Sequence, residues 1–211
     1  QYAEVIEATN PCSEQPLPDY GCCCLGSIDL ARFVLDPFTP IASFDWERFR
    51  ALVRTSVRML DNVLQITYWP LPEQQSEAMN KRRIGLGFLG LGSALVMLCI
   101  PYNHLNGLVF GEELAAVMCH EAYRASIELA REKAPFPALD RKRYLESGFA
   151  RRLPEDIRSG IAEHGIRNSH LLSIAPTGTI ALAFADNASN GIEPAFSWIY
   201  TRTKRMPDGS T

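Results

Sequence analysis

Four of the six cysteines fall within residues 8–30, the stretch that also holds the tightest grouping of reactive side chains. Asn10, Cys12 and Glu14 stand two residues apart there, separated by Pro11 and Ser13. Pro11 biases Asn10 away from the helical region, and Pro16 and Pro18 bar a helix just beyond, so the segment around Cys12 is expected to be extended or looped. In an extended segment residues two apart share a face, which would line up Asn10, Cys12 and Glu14 over roughly 13 Å. Such a face offers an amide to orient hydroxyls, a thiol able to act as a nucleophile or one-electron centre, and a carboxylate to accept a proton. That set is suited to one sugar and its hydroxyl groups. Cys22, Cys23 and Cys24 open the strand that ends near Leu30, so Cys22 and Cys24 would face one side and Cys23 the other. Periodicity leaves open which side meets a substrate, and small apolar packing is the ordinary alternative for Cys22 and Cys24.

A second grouping lies at residues 170–185. His170 to Ala175 reads as a buried strand, Pro176, Thr177, Gly178 and Thr179 as a tight loop, and Ile180 to Ala185 as the opening of a helix. A strand, a glycine-containing loop and a helix N-terminus together present free backbone N–H groups and a positive dipole end, which is a cradle for a phosphate. Without further context the same pattern is a plain strand-to-helix turn.

The intervening chain must position these groups. A loop over 36–44 delivers a helix start at Ser43 or Asp45, and Phe49, Leu52, Val53, Val57, Leu60 and Leu64 mark one buried face of a helix over about 46–66. Trp69, Pro70, Leu71 and Pro72 end it, and a polar stretch runs through Asn80 to Lys81, Arg82 and Arg83. Residues 85–90 match the dinucleotide fingerprint G-x-G-x-x-G, but the residues before them are strongly polar where that fingerprint needs a hydrophobic strand. The better reading is a short strand carrying Ile84, Leu86 and Phe88, with glycines that allow close packing against a helix over Ser93–Leu98. The longest helix is expected over 112–133, opened by Glu112 and Glu113 and closed by Arg131 and Lys133 before Pro135. Cys119 and Cys99 read as core residues. Shorter helices follow near 140–147 and from Pro154 to His164, stopped by Gly165. Phe196, Trp198 and Tyr200 alternate as a last strand.

At 211 residues, 46% hydrophobic and 21% charged, the chain suffices for one soluble domain with a sizeable core, and 1–211 is read as a single unit. A formal charge of −3 without a long Lys/Arg run gives no nucleic-acid surface. No signal peptide or membrane-spanning apolar run is present, so a cytoplasmic location with reduced thiols is expected. Zinc needs ligands in closely spaced pairs, whereas consecutive strand cysteines point to opposite faces, so no metal site is assigned. The start at Gln1 and the turn-like ending suggest part of a longer polypeptide. Strand and helix in alternation argue for an α/β architecture with parallel strands.

Asn10, Pro11, Cys12, Ser13 and Glu14, followed by Cys23, Cys24, Leu25, Gly26, Ser27, Ile28, Asp29 and Leu30, resemble the active-site loop of ribonucleotide reductases, most of all the adenosylcobalamin-dependent group. Asp29 stands where Asn is usual, and Cys22 and Cys24 flank the expected cysteine. Two further runs, Ala175 to Ile180 and Asn190 to Pro194, match reductase motifs in the same order, as does Arg82 to Gly87. The resemblance implies the C-terminal half of a ten-stranded α/β barrel, in which a central finger loop carries the catalytic Cys12, and an N-terminal half-barrel missing from this chain. It implies radical reduction of a ribonucleoside di- or triphosphate to the 2′-deoxyribonucleotide. Cys12 would be the thiyl, Glu14 the base, Asn10 the hydroxyl orienter and Cys23 one of two redox thiols. Pro176, Thr177, Gly178, Thr179 and Ile180 would hold the substrate phosphates. Adenosylcobalamin, bound mainly outside this chain, and an external dithiol such as thioredoxin complete the expected set. The fragment alone is expected to be inactive. A reductase dependent on a metal-radical subunit, a glycyl-radical barrel enzyme and a cysteine-based zinc or interaction module are the alternatives.

Overall fold

The computed structural model describes residues 3–184, 187–199, 201 and 203–210. The described chain is mixed α/β. Strands β1 (Ala8–Thr9) and β2 (Pro16–Leu17) form an antiparallel hairpin with Ala8 opposite Leu17 and Thr9 opposite Pro16. Strand β3 (Cys24–Asp29) leads through a 3-10 turn at Leu30–Phe33 to a small antiparallel pair, β4 (Val34–Leu35) with β5 (Ser43–Phe44). Asp45 then caps α1 (Trp46–Ile66) by accepting from the Arg48 amide at 3.0 Å. The expected helix bounds and its buried face of Phe49, Val53, Val57, Leu60 and Leu64 are met. Leu52 of the predicted stripe is exposed.

The polar stretch before Lys81 is a helix rather than a connector: α2 (Pro72–Lys81) has Pro72 in its first turn, where the missing N–H costs nothing. Its C-cap, Arg82, is left-handed at φ 49°, and that reversal feeds β6 (Ile84–Leu89). Strand β6 pairs in parallel with β3, Cys24 opposite Ile84 and Asp29 opposite Leu89, so α1 and α2 form the crossover of a β-α-β unit. The buried strand expected at His170–Ala175 does not form: the segment is irregular chain beside β6 with a single bridge residue, and Ile174 is exposed. His170–Ala175 is tied to β6 by Ile84 N–H to His170 O at 3.0 Å, Leu86 N–H to Leu171 O at 2.8 Å and Ser173 N–H to Leu86 O at 3.1 Å, with one parallel bridge, Leu86 to Leu172. Gly85 and Gly87 lie inside β6, not in a turn after it, consistent with the structural reading of that motif.

Helices α3 (Leu91–Met97), α4 (Leu105–Lys133), α5 (Arg141–Glu146), α6 (Glu155–His164) and α7 (Gly178–Phe184) complete the described elements. Helix α4 starts seven residues earlier than its charged residues predict, because the His104 side chain accepts from the Asn106 amide and serves as its cap. The core lies where α1 packs on α4 and on one face of the β3–β6 pair, with Phe33, Phe44, Trp46, Phe49 and Phe110 clustered at one end. Asp61, on α1 and 1% exposed, holds the crossover shut: its carboxylate accepts from Arg82 at 2.8 Å, Asn168 at 3.0 Å and Arg167 at 3.4 Å.

Two further expectations fail. Cys99 is exposed, with φ 59°, just past the end of α3, where a residue must break the helix and so turns outward. Cys119 is half-buried and packs on the core as expected. The predicted last strand does not form over its described part: Phe196 and Trp198 are both exposed in irregular chain, without a neighbouring strand to pair with, and Tyr200 lies outside the described residues. Ala185, at the predicted end of α7, also lies outside them.

Candidate active site

Asn10, Cys12 and Glu14 do not share a face of an extended strand. The chain reverses between β1 and β2: Ser13 adopts φ 63°, its amide bonds Asn10 O at 3.0 Å, and Asn10 N–H bonds Gln15 O at 3.1 Å. Asn10 closes the turn with its side chain as well, Oδ1 accepting from the Gln15 amide at 3.1 Å. The preference of Asn for local side-chain to main-chain bonds outweighs the extended bias that Pro11 imposes. Cys12 therefore sits exposed at the tip of a hairpin, with Glu14 half-buried on the returning arm.

The hairpin docks on the 172–173 segment that runs beside β6. Ser173 Oγ donates to Glu14 O at 3.1 Å, and the buried Gln15 donates through Nε2 to Leu172 O at 3.3 Å. Glu14 Oε2 is buried without a hydrogen-bond partner.

Of the cysteine triplet, only Cys24 belongs to β3; Cys22 and Cys23 precede it in irregular chain. Cys24 packs against the core cluster, on the side where a Cβ at Gly26 would meet Leu60 of α1. Cys23 lies on the opposite side, where a Cβ at Gly85 would meet Cys23 Sγ at 3.0 Å, Ser173 Cβ at 2.9 Å and Leu25 Cδ2 at 2.7 Å. The sheet face away from α1 is thus bare of side chains at Gly85 and Gly87 and is bordered by Cys23 and Ser173. Burial pushes the Cys23 thiol up to about 12; the Arg83 guanidinium opposes this, while the two neighbouring thiols and the Glu14 carboxylate add to it. Burial likewise pushes Cys22 up to about 11, with Glu77 contributing. Ser173 stands beside both groups: its hydroxyl donates to the Glu14 carbonyl, and its Cβ borders the Gly85 face together with Cys23 Sγ, so the docked hairpin lies on the side of the sheet that carries Cys23.

The turn at 176–179 leads from irregular chain into α7. Thr177 takes φ 56° and its hydroxyl donates to Asn190 O at 2.5 Å, with Pro176 O also in reach at 2.8 Å. Pro176 has no amide hydrogen and the Thr177 hydroxyl is committed, so these two shape the turn. The amides of Gly178, Thr179 and Ile180 open α7, and a Cβ at Gly178 would meet open space. Asn190 to Pro194 buttresses the turn: Glu193 Oε1 accepts from the Asn190 and Gly191 amides at 3.0 and 3.2 Å, and Leu91 N–H bonds Gly191 O at 3.1 Å. Sequence reasoning noted that segment as a motif without seeing that its carbonyl holds Thr177.

A cavity of about 800 Å³, lined by Glu4, Tyr123, Phe149 and His170 among others, contains none of the predicted site residues. Sequence reasoning also missed Gln15, Arg83 and Ser173; a polar residue between Glu14 and Pro16 was the available signal for the first. Among the described residues, no three His, Cys, Asp or Glu side chains are grouped to hold a metal ion, and no helix is long and apolar enough to cross a membrane.

The family model "Ribonucleotide reductase, barrel domain" matches residues 1–210. The chain is 39% identical over 197 residues to a vitamin B12-dependent ribonucleoside-diphosphate reductase of Mycobacterium tuberculosis (strain ATCC 25618 / H37Rv), covering 93% of this chain and 25% of that protein. A protein of the same description from Thermoplasma acidophilum is 36% identical over 197 residues, covering 93% and 23%. The ribonucleoside-diphosphate reductase subunit alpha of Chlamydia muridarum is 28% identical over 225 residues, covering 94% and 21%. The chain thus spans about a quarter of the length of the curated relatives it matches.

Proposed function

Since this chain belongs to the ribonucleotide reductase barrel-domain family, we propose that it supplies the radical-cysteine face of an enzyme that reduces ribonucleoside diphosphates to 2′-deoxyribonucleotides with adenosylcobalamin. The diphosphate substrate and the cofactor follow the names of the relatives at 36–39% identity. In this reading the Cys12 hairpin is the finger of a ten-stranded barrel, and residues 1–211 are one portion of it. The observation that carries the proposal is the docking of the Cys12 hairpin: Ser173 holds the Glu14 carbonyl, Glu14 Oε2 has no partner, and the same Ser173 borders the Gly85 face beside the half-buried Cys23.

Displacing an unactivated 2′-hydroxyl is difficult, and the cofactor, when bound, supplies the radical chemistry that makes it feasible. Cys12 fits such a cofactor because its thiol is exposed at a hairpin tip. The contacts that hold the cofactor belong to the rest of the reductase. Cys12, as thiyl, takes the 3′-hydrogen of the ribose and returns it at the end. Glu14 accepts the 3′-hydroxyl proton while the 2′-hydroxyl takes a proton from the thiol pair and leaves as water, and Glu14 gives its proton back when the 3′-hydroxyl is restored. Asn10 spends its side-chain oxygen on the hairpin turn, so its amide N–H groups are what remain for the sugar hydroxyls. Cys23 and a second thiol give up two electrons and two protons in total and become a disulfide, which an external dithiol such as thioredoxin reduces by exchange.

The amides of Gly178, Thr179 and Ile180 would receive the phosphates, with Pro176 and Thr177 shaping the turn. Ser173 holds the hairpin, and Pro176 follows three residues later, at most about 10 Å of chain away. That spacing suits a nucleotide with its sugar at Glu14 and its phosphates at α7.

The test is a pair of variants in the full-length enzyme. Cys12→Ala should abolish hydrogen exchange between cofactor and solvent. Cys23→Ser should keep that exchange yet stop repeated turnover. Equal loss of both steps in the two variants would refute the assignment.

A further inference from the structure

Arg83 stands at the junction of the three pieces that carry the site. It is 2% exposed, among the largest fully buried side chains. Its main-chain oxygen accepts from the Cys24 amide at 3.4 Å, where β3 begins. Its guanidinium reaches the hairpin: Nη1 donates to Pro16 O at 3.1 Å, on β2, and Nη2 donates to Glu4 at 2.6 and 2.8 Å, just ahead of β1. Lys81 also donates to Glu4, at 2.9 Å, and to Glu77 at 2.8 Å, so two cations and two carboxylates balance in one cluster. Gln15 and Ser173 tie down the far end of the hairpin. The lean of the hairpin over the sheet is therefore fixed at two places, and Arg83 is the one at its base.

Resting on the reductase reading above, we propose that Arg83, with Glu4 as its counter-ion, is a positioning residue that sets where the Cys12 hairpin stands relative to Cys23. A planar guanidinium can serve a carbonyl and a carboxylate at once in a fixed fork, which an ammonium on a flexible stem does not. Buried between its partners, it touches no substrate. It acts on the reaction by holding Cys12 and Glu14 at a constant offset from the redox thiol, where small misplacements carry large penalties in rate.

The test uses the full-length enzyme, read by steady-state kinetics with a ribonucleoside diphosphate and by hydrogen exchange. Arg83→Gln should lower kcat by about 100-fold while KM stays within about three-fold, the signature of lost geometry rather than lost binding. Amide exchange over residues 7–17 should quicken by a comparable factor with residues 84–89 unchanged. Arg83→Lys, which restores charge without the fork, should recover no more than about ten-fold of the loss. Should Arg83→Gln fail to fold, Glu4→Gln keeps the Pro16 bond and should show the same local exchange with about a ten-fold lower kcat. Unchanged kcat and hairpin exchange, exchange rising equally over 84–89, or full rescue by lysine would each overturn the proposal. Faster hairpin exchange in an enzyme that reduces no ribonucleotide would leave the clamp standing and remove the reductase reading.

Discussion

Cys23 is half-buried against Gly85, and burial pushes its thiol up to about 12. At pH 8 about one molecule in ten thousand then carries the thiolate, against about one in ten for an unfolded thiol near 9.0. Alkylation of Cys23 at pH 8 should therefore be about a thousand-fold slower in the native chain than in denaturant, as peptide mass mapping can measure; similar rates would disprove the burial. The same shift has a stability consequence. The folded pKa is raised, so this contribution is complete below about pH 9, where the unfolded thiol is also protonated, and is lost as pH climbs from 9 toward 12. At this scale the sequence named Asn10, Cys12, Glu14 and Cys23 as reactive, because residue chemistry does not depend on fold. It misjudged how the first three are arranged, since the Asn10 side chain closes a turn that spacing alone does not reveal.

Element by element, helices with strong apolar periodicity were readable, as α1 shows, while α2 was hidden by its polar composition. Its C-cap, Arg82, is held by the buried Asp61 of α1, a tie between distant segments that no window of sequence contains. The glycines of β6 were expected to admit a helix. They admit the 173–174 chain and Cys23 instead, because alternate residues face away from α1. A Cβ at Gly87 would land on the Ser173 carbonyl oxygen, so Gly87→Ala must move main chain and should cost about 1–3 kcal/mol in chemical denaturation. Gly26→Ala meets only the flexible end of Leu60, at 3.2 Å, and should change stability by less than about 1 kcal/mol. Equal losses at the two positions would show that the bare face does not require close approach of the chain.

Over the whole molecule, the feature that matters is what the described chain leaves open. Cys12 is exposed, as are Val5, Tyr20, Leu25 and Ile174, which lie on or beside the hairpin and the 173–174 chain that covers Gly87. A radical formed in contact with water would be lost to side reactions, so a working site needs that surface covered. The 211-residue chain by itself should accordingly show no ribonucleotide turnover, measured as deoxynucleotide formed with cofactor and dithiol supplied; turnover by the chain alone would sink the proposed architecture. The sequence alone determined the bounds of α1, the β6 strand before α3 and the helix opening at Gly178, since each is written in local chemistry and periodicity. Only the tertiary structure decided that the Cys12 hairpin docks on Leu172 and Ser173 and that Arg83 ties its returning strand to the start of β3, because those contacts join segments tens of residues apart whose meeting depends on how the sheet and α1 pack.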